Sequence, residues 1–124
     1  MSIVILSQKE KELKDGDSII RYRIPSPAVI LDCLYAVLGK DYDLTKLSQG
    51  KDIPFSENLK LTDSIASQSI LGWEGVTDSE GNPADYDKGL IPYLPSSIKI
   101  GIFREAMDFL ALNLAQKSQI KKKK

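Results

Sequence analysis

Histidine is missing from this chain of 124 residues. With it go serine–histidine and cysteine–histidine catalysis, imidazole metal ligation and the usual proton shuttle near neutral pH. Cysteine occurs once, at Cys33, so no internal disulfide is available. Its neighbours Leu31, Leu34 and Val37 mark it as a small buried apolar group rather than a reactive thiol, which would need a histidine or a cationic cluster beside it. Long hydrophobic runs are lacking too. The best stretch, FLALNLA from Phe109, is broken by Asn113 and falls far short of the ~18 apolar residues that span a bilayer. The opening MSIVILSQKEK has no positive region before its apolar residues, so no secretion signal is expected and the cytoplasm is the expected location.

A basic face interleaved with aromatics, the usual footprint of a nucleic-acid reader, is also absent. Formal charge is zero, but it is unevenly placed: residues 40–90 carry five basic and ten acidic side chains, whereas 91–124 carry seven basic and two acidic. Four of those seven are the run Lys121 to Lys124.

What is present is ordinary for a folded domain. Apolar content of 42% and charge of 27% suit one globular core, and a chain of this length buries about two thirds of its unfolded surface. Organisation along the chain predicts a mainly α protein with a small N-terminal β-hairpin, an α+β fold of three to five helices. The single domain is expected over 1–117, with 1–25 as the hairpin and 26–117 as the helical body, followed by a flexible basic tail over 118–124.

Ile3 to Leu6 and Ile19 to Ile24 favour strand, with the turn-forming Asp15-Gly16-Asp17 between them. In Ile20-Arg21-Tyr22-Arg23-Ile24 apolar residues alternate with arginines, the period of a strand with one buried face. Arg21 and Arg23 then share the solvent face. Ser26-Pro27 is a good helix start, because the hydroxyl caps while proline occupies a position that needs no amide hydrogen. The first helix is predicted to reach Leu38, with Gly39 as its stop and Val29, Ile30, Cys33, Leu34 and Val37 as its apolar stripe. Residues 40–58 read as a connection with a short turn of helix around Leu44 and Leu47.

A second helix is expected to begin between Ser56 and Asp63, to carry Leu59, Thr62, Ile65, Ala66, Ser69 and Ile70 on one face, and to end at Gly72. A short third is expected between Asp85 and Tyr93. The longest runs from Ser97 to about Lys117, with Ile98, Ile102, Ala106, Phe109, Leu110 and Leu114 on a broad face and Phe103 and Met107 beside it.

The acidic stretch Asp78, Glu80, Asn82, Asp85 and Asp87 invites a cation reading, because hard ions take carboxylate and amide oxygens. Spacing argues against it: a calcium loop from Asp78 needs glycine sixth and glutamate twelfth, where Pro83 and Gly89 stand. Gly50-Lys51 lacks the earlier glycine of a phosphate loop, since Thr45 is there. The stretch reads instead as a joint, in which Gly72 closes a helix, Gly81 and Pro83 reverse the chain, and Pro95 launches the last helix. Trp73 has two readings, a ring that packs the joint onto the helices or a hot spot for a partner. Tyr86 and Tyr93 are placed to brace the segment between them.

The pattern Trp73-x-Gly75-Val76-x-Asp78-x-x-Gly81-x-Pro83, then Tyr86, the Leu90 to Pro95 segment and an amphipathic helix, resembles tail assembly chaperones of long-tailed bacteriophages and prophages. Asp15-Gly16, followed by Ile20-Arg21-Tyr22-Arg23-Ile24-Pro25, adds an earlier echo. The resemblance implies a non-enzymatic helical protein without cofactor or metal. Its implied role is to hold the tape measure protein soluble while tail tube subunits assemble, and to be absent from the mature virion. It also implies contacts with the tail tube protein, with further copies of itself, and with a longer frameshifted form, for which the adenine-rich lysine codons of KSQIKKKK are a slip-site candidate. Trp73, Ile102, Phe103, Met107 and Leu110 are the candidate partner-binding residues. The alternative is a structural tail or head–tail connector protein retained in the virion.

Overall fold

The structure, a computed structural model, describes residues 9–41 and 55–122. The expected strand at Ile3 to Leu6 and the expected turn at Leu44 and Leu47 lie outside the described residues. The fold is α+β, mainly helical, with a small three-stranded antiparallel sheet.

Strand β1 is Lys11–Asp15 and β2 is Ser18–Tyr22, joined through Gly16 and Asp17. The first strand of the hairpin is thus the charged KELKD. Its alternation is masked, because its inward positions are Lys11 and Leu13 and only Leu13 is apolar. Helix α1, Pro27–Leu38, starts and stops as its sequence predicts. The Ser26 hydroxyl accepts from the Val29 amide at 3.4 Å, and the Gly39 amide donates to the Tyr35 carbonyl at 2.9 Å. Ile30, Cys33 and Leu34 are its buried face.

Helix α2, Phe55–Ser69, passes without a loop into strand β3, Ile70–Glu74. This corrects the expected helix end at Gly72, and it places a third strand inside the segment read as purely helical. Two hydrogen bonds explain the early stop. The Ser69 hydroxyl turns back to the Ile65 carbonyl at 2.7 Å, a bond that loosens a helix, and the Arg23 amide takes the Ser69 carbonyl at 2.9 Å. The β-favouring Ile-Leu-Gly-Trp then joins the edge of β2.

The sheet order is β1-β2-β3. Leu13 pairs with Ile20 and Ile20 with Trp73, so three apolar side chains line one row of the inner face. Where Arg21 pairs with Gly72 and Tyr22 with Ile70, the register shifts by one residue and Leu71 is the extra one. The bulge turns Leu71 outward while Ile70 stays buried. Gly72 is therefore a strand residue with a packing role: a Cβ there would stand 3.2 Å from the Arg21 guanidinium that lies across it.

A 3-10 helix, Lys88–Tyr93, occupies the place of the expected short helix, and its start is capped by Asp87, whose carboxylate accepts from the Gly89 amide at 2.9 Å. Helix α3 is Ser96–Lys122. It outlasts the expected end near Lys117, its backbone continuing as helix to Lys122. No glycine or proline interrupts 118–122, and its glutamine and two lysines are good helix formers.

Helix α2 is the hub, packing on α1, α3 and the 3-10 helix. Leu61, Ile65 and Ala66 meet Ile30 and Leu34 of α1, Ile91 of the 3-10 helix and Ile98, Ile102 and Ala106 of α3 in one continuous core. Each fully buried isoleucine or leucine contributes about 2 kcal/mol of transfer free energy. Leu59, expected on the buried face, is exposed because it lies roughly 200° around the helix from Leu61.

Lys99 is the one charged residue within this core among the described residues, only 5% exposed. Its ammonium donates to Asp63 Oδ1 and to the Pro92 carbonyl, both at 2.7 Å, and so ties α2, the 3-10 helix and α3 at one point. A lysine in the first turn sits at the unfavourable end of the helix dipole. The Asp63 carboxylate offsets that repulsion and the loss of water, giving the crossing of three elements a fixed geometry more than net stability.

Candidate interaction site

The joint between β3 and α3 is built around Trp73. The indole is buried, its Nε1 donates to the Ala84 carbonyl at 2.8 Å, and its ring meets Tyr86 edge-on with centroids 5.0 Å apart and planes at 75°. The Tyr86 hydroxyl in turn donates to the Ile70 carbonyl at 3.2 Å. Of the two readings of Trp73, the geometry places the ring in the packing role. Tyr86 braces the joint as expected; Tyr93 does not, because it points into solvent with 85% of its surface exposed.

Residues 76–84 form a small reversal. Thr77 and Pro83 face each other as an isolated bridge, and the Ala84 amide donates to the Val76 carbonyl at 2.8 Å. At its tip Asp78 Oδ1 accepts from the amides of Glu80 and Asn82, both at 2.9 Å. Gly81, at φ +84°, makes the reversal that the sequence predicts. The Asp78 carboxylate is engaged in holding its own loop, and among the described residues no group of three or more acidic or sulfur ligands gathers to hold a metal. Pro95 launches α3 as expected, its carbonyl accepting from the Ile98 amide at 3.1 Å.

Between this reversal and the 3-10 helix lies an open cleft of about 390 Å³. Trp73, Val76, Ala84, Leu90, Tyr93 and Leu94 make its apolar wall, and Asp78 stands on its polar side. The wall is apolar, which suits recognition of an apolar side chain, and one charged side chain, Asp78, stands in its lining.

The candidate partner-binding residues divide. Ile102 and Leu110 belong to the core and offer no surface, and Trp73, also buried in it, shows only the small part of its ring that lines the cleft. The broad face of α3 is wide because it meets α1, α2 and the sheet at once, not because part of it is left open. Phe103 and Met107 are half-buried against the same core. Leu114, expected on the buried face, is 46% exposed, and Leu112 is 62% exposed. The cleft and the exposure of Tyr93 escaped the sequence reading, which placed Tyr93 with Tyr86 as a brace of the segment between them.

Arg21 pairs with Glu74 at 2.8 Å on the outer face of the sheet, and Arg23 is exposed beside it. An exposed pair of this kind contributes under ~1 kcal/mol. On the inner face Glu105 of α3 holds two strands together, its carboxylate accepting from Tyr22 at 3.0 Å and from Lys11 at 2.9 Å. Burial, helped by the hydrogen bond and the charge of Glu105, pushes the Tyr22 phenol up to about 12 from its ordinary 10.0. A raised folded-state value means that the neutral phenol is stabilised by folding. Its contribution is complete below about pH 10 and is lost as pH rises towards 12. Urea titrations between those limits are expected to show a steeper loss of stability for the parent chain than for Tyr22→Phe, and equal slopes would remove Tyr22 as the cause.

Set against protein-family models, curated proteins and solved structures, the chain gives no match in any of the three. Among the described residues no helix is long and apolar enough to cross a membrane.

Proposed function

We propose that this protein is a non-enzymatic assembly chaperone of a long-tailed phage or prophage, which binds the tape measure protein and keeps it soluble during tail tube assembly. The observation that best supports this reading is the far half of α3. Leu110 is the last buried residue described on that helix. Leu112 and Leu114, which lie roughly 200° apart around it, are both exposed. Apolar side chains on opposite sides of one helix leave two faces for other molecules, each able to take one turn of a partner's apolar stripe. The resemblance carried by Trp73 to Pro83 supplies the identity of that partner, and a host-cell cytoplasmic location follows from the role.

Co-expression with the long helical protein encoded in the same tail gene cluster tests the reading. Soluble tape measure protein is expected to rise several-fold, and Leu112→Ser combined with Leu114→Ser is expected to abolish the rise without unfolding the chain. No gain in solubility with the parent chain would sink the proposal. Mass spectrometry of purified virions separates it from the structural tail or connector alternative, which requires abundant peptides of this chain in the particle.

A further inference from the structure

Among the described residues every backbone-to-backbone hydrogen bond of the segment 76–94 closes within that segment, from the Ala84 amide on the Val76 carbonyl to the Leu94 amide on the Ile91 carbonyl. Its hydrogen bonds to the rest of the described fold each use a side chain. Trp73 Nε1 holds the Ala84 carbonyl, the Tyr86 hydroxyl holds the Ile70 carbonyl, and the Lys99 ammonium holds the Pro92 carbonyl. Ile91 is the one residue of the segment that is fully buried; Val76, Ala84 and Leu94 are half-buried and the others are exposed. The two ends lie close together, since Val76 and Leu94 line the same cleft. A segment whose ends meet can leave the body of a protein without displacing the elements that flank it. Release strands no charge either, because Lys99 keeps Asp63 at 2.7 Å and its ammonium gains water where the Pro92 carbonyl stood.

We propose that residues 76–94 form a strap that opens as one unit while the sheet and the three helices stay folded, withdrawing Ile91 from the core beside α2 and α3 and uncovering Trp73. Parts of a fold that open together are contiguous stretches with few buried apolar groups and few hydrogen bonds to their surroundings, and the strap has both properties. Its two halves move together because each forms part of one cleft, Val76 and Ala84 from the reversal, Leu90 and Leu94 from the 3-10 helix and its end. The core of α1, α2 and α3 does not depend on the strap beyond Ile91, since Leu61, Ile65 and Ala66 also pack on Ile30, Leu34, Ile102 and Ala106. Closed, the strap keeps this apolar surface from water; open, it presents the surface without unfolding the chain. This inference concerns a motion of the fold and does not depend on the tape measure reading.

Amide hydrogen exchange of the whole chain, read residue by residue by NMR, provides the test. The hydrogen-bonded amides of Asp78, Ala84, Leu90 and Leu94 are expected to share one protection factor, at least about ten-fold below that of the α2 amides around Ile65. Two conservative variants then separate opening of the strap from local fraying and from global unfolding. Ile91→Val loosens the plug at one end of the strap, and is expected to speed the distant Ala84 amide by the same factor as the Leu94 amide, roughly five-fold. Ile30→Val, in α1, weakens packing that is present whether the strap is closed or open. It is expected to speed the α2 amides roughly five-fold and to leave the strap amides unchanged. Strap amides as protected as α2, an Ala84 amide indifferent to Ile91→Val, or strap amides that respond to Ile30→Val would each overturn the proposal.

Discussion

Replacing Gly75 by alanine is expected to cost about 4 kcal/mol, from the combined strain and overlap described next, and to lower Tm by about 15 °C in a domain of this size. Gly75 follows β3 at φ +71°, where a side chain is strained in any surroundings. Its surroundings add to the strain. A Cβ at this position would overlap the Asp17 carbonyl oxygen and lie 3.3 Å from Ser18 Cα, both parts of the backbone that turns β1 into β2. Backbone held by a paired hairpin has little freedom to retreat, and the Ser18 hydroxyl, which donates to the Gly75 carbonyl at 2.8 Å, holds the two turns in register. Gly81 is the control. It has a similar φ of +84° but nothing within 4 Å of the place a methyl would take, so Gly81→Ala is expected to cost only the conformational strain of about 1 kcal/mol. Thermal unfolding of the two variants checks the argument, and similar losses would show that conformation alone, not the contact with the hairpin turn, makes Gly75 necessary.

Trp73→Ala is expected to destabilise the fold by about 3–5 kcal/mol, the usual range for emptying a buried aromatic site. The ring takes part in three contacts at once: the row across the sheet with Ile20, the edge-on packing with Tyr86, and the hydrogen bond to the Ala84 carbonyl. Trp73→Phe keeps the first two and leaves the carbonyl without its donor, for an expected loss of about 1 kcal/mol. Urea unfolding followed by circular dichroism distinguishes the pair, since the parent's only tryptophan is the residue removed. A loss below ~1 kcal/mol for Trp73→Ala would be incompatible with a structural anchor and would return the ring to the role of partner hot spot.

Both residues stand in the joint between β3 and α3, and they show how much of it was legible. The turn at Gly81 and Pro83 and the launch of α3 after Pro95 follow from local chemistry, turn propensity and a proline with no amide hydrogen, whereas the choice between the two readings of Trp73 was made by its contacts with Ile20, Tyr86 and Ala84. The role of Gly72 did not follow. Glycine after a helical pattern is a usual stop signal, and only the pairing of Ile70 with Tyr22 shows that the helix has already ended at Ser69. Nor did the need for Gly75, because the backbone it must clear includes Ser18, 57 positions away in the sequence.

Lys99 and Glu105 teach the same lesson from the polar side. In Ile98-Lys99-Ile100 and Arg104-Glu105-Ala106 they look like the solvent side of an amphipathic helix. Lys99 is held by Asp63 and the Pro92 carbonyl, and Glu105 by Tyr22 and Lys11. None of these partners is within the reach of a helical period, so no local pattern announces them.

The sequence by itself determined the class of this protein: an α+β domain of helices with a hairpin near its start, without histidine chemistry, with α1 bounded by Ser26 and Gly39 and a polar reversal closed by Gly81 and Pro83. Those features depend on interactions within a few residues, whose energies are fixed by the residue types themselves. Tertiary structure alone decided that α2 yields to a third strand, that Ile102 and Leu110 are core, and that Tyr93, Leu112 and Leu114 are left facing water. Exposure is a property of what else packs nearby. For a broad apolar stripe such as that of α3, periodicity says which residues share a face, and only the arrangement of α1, α2 and the sheet says where the cover ends.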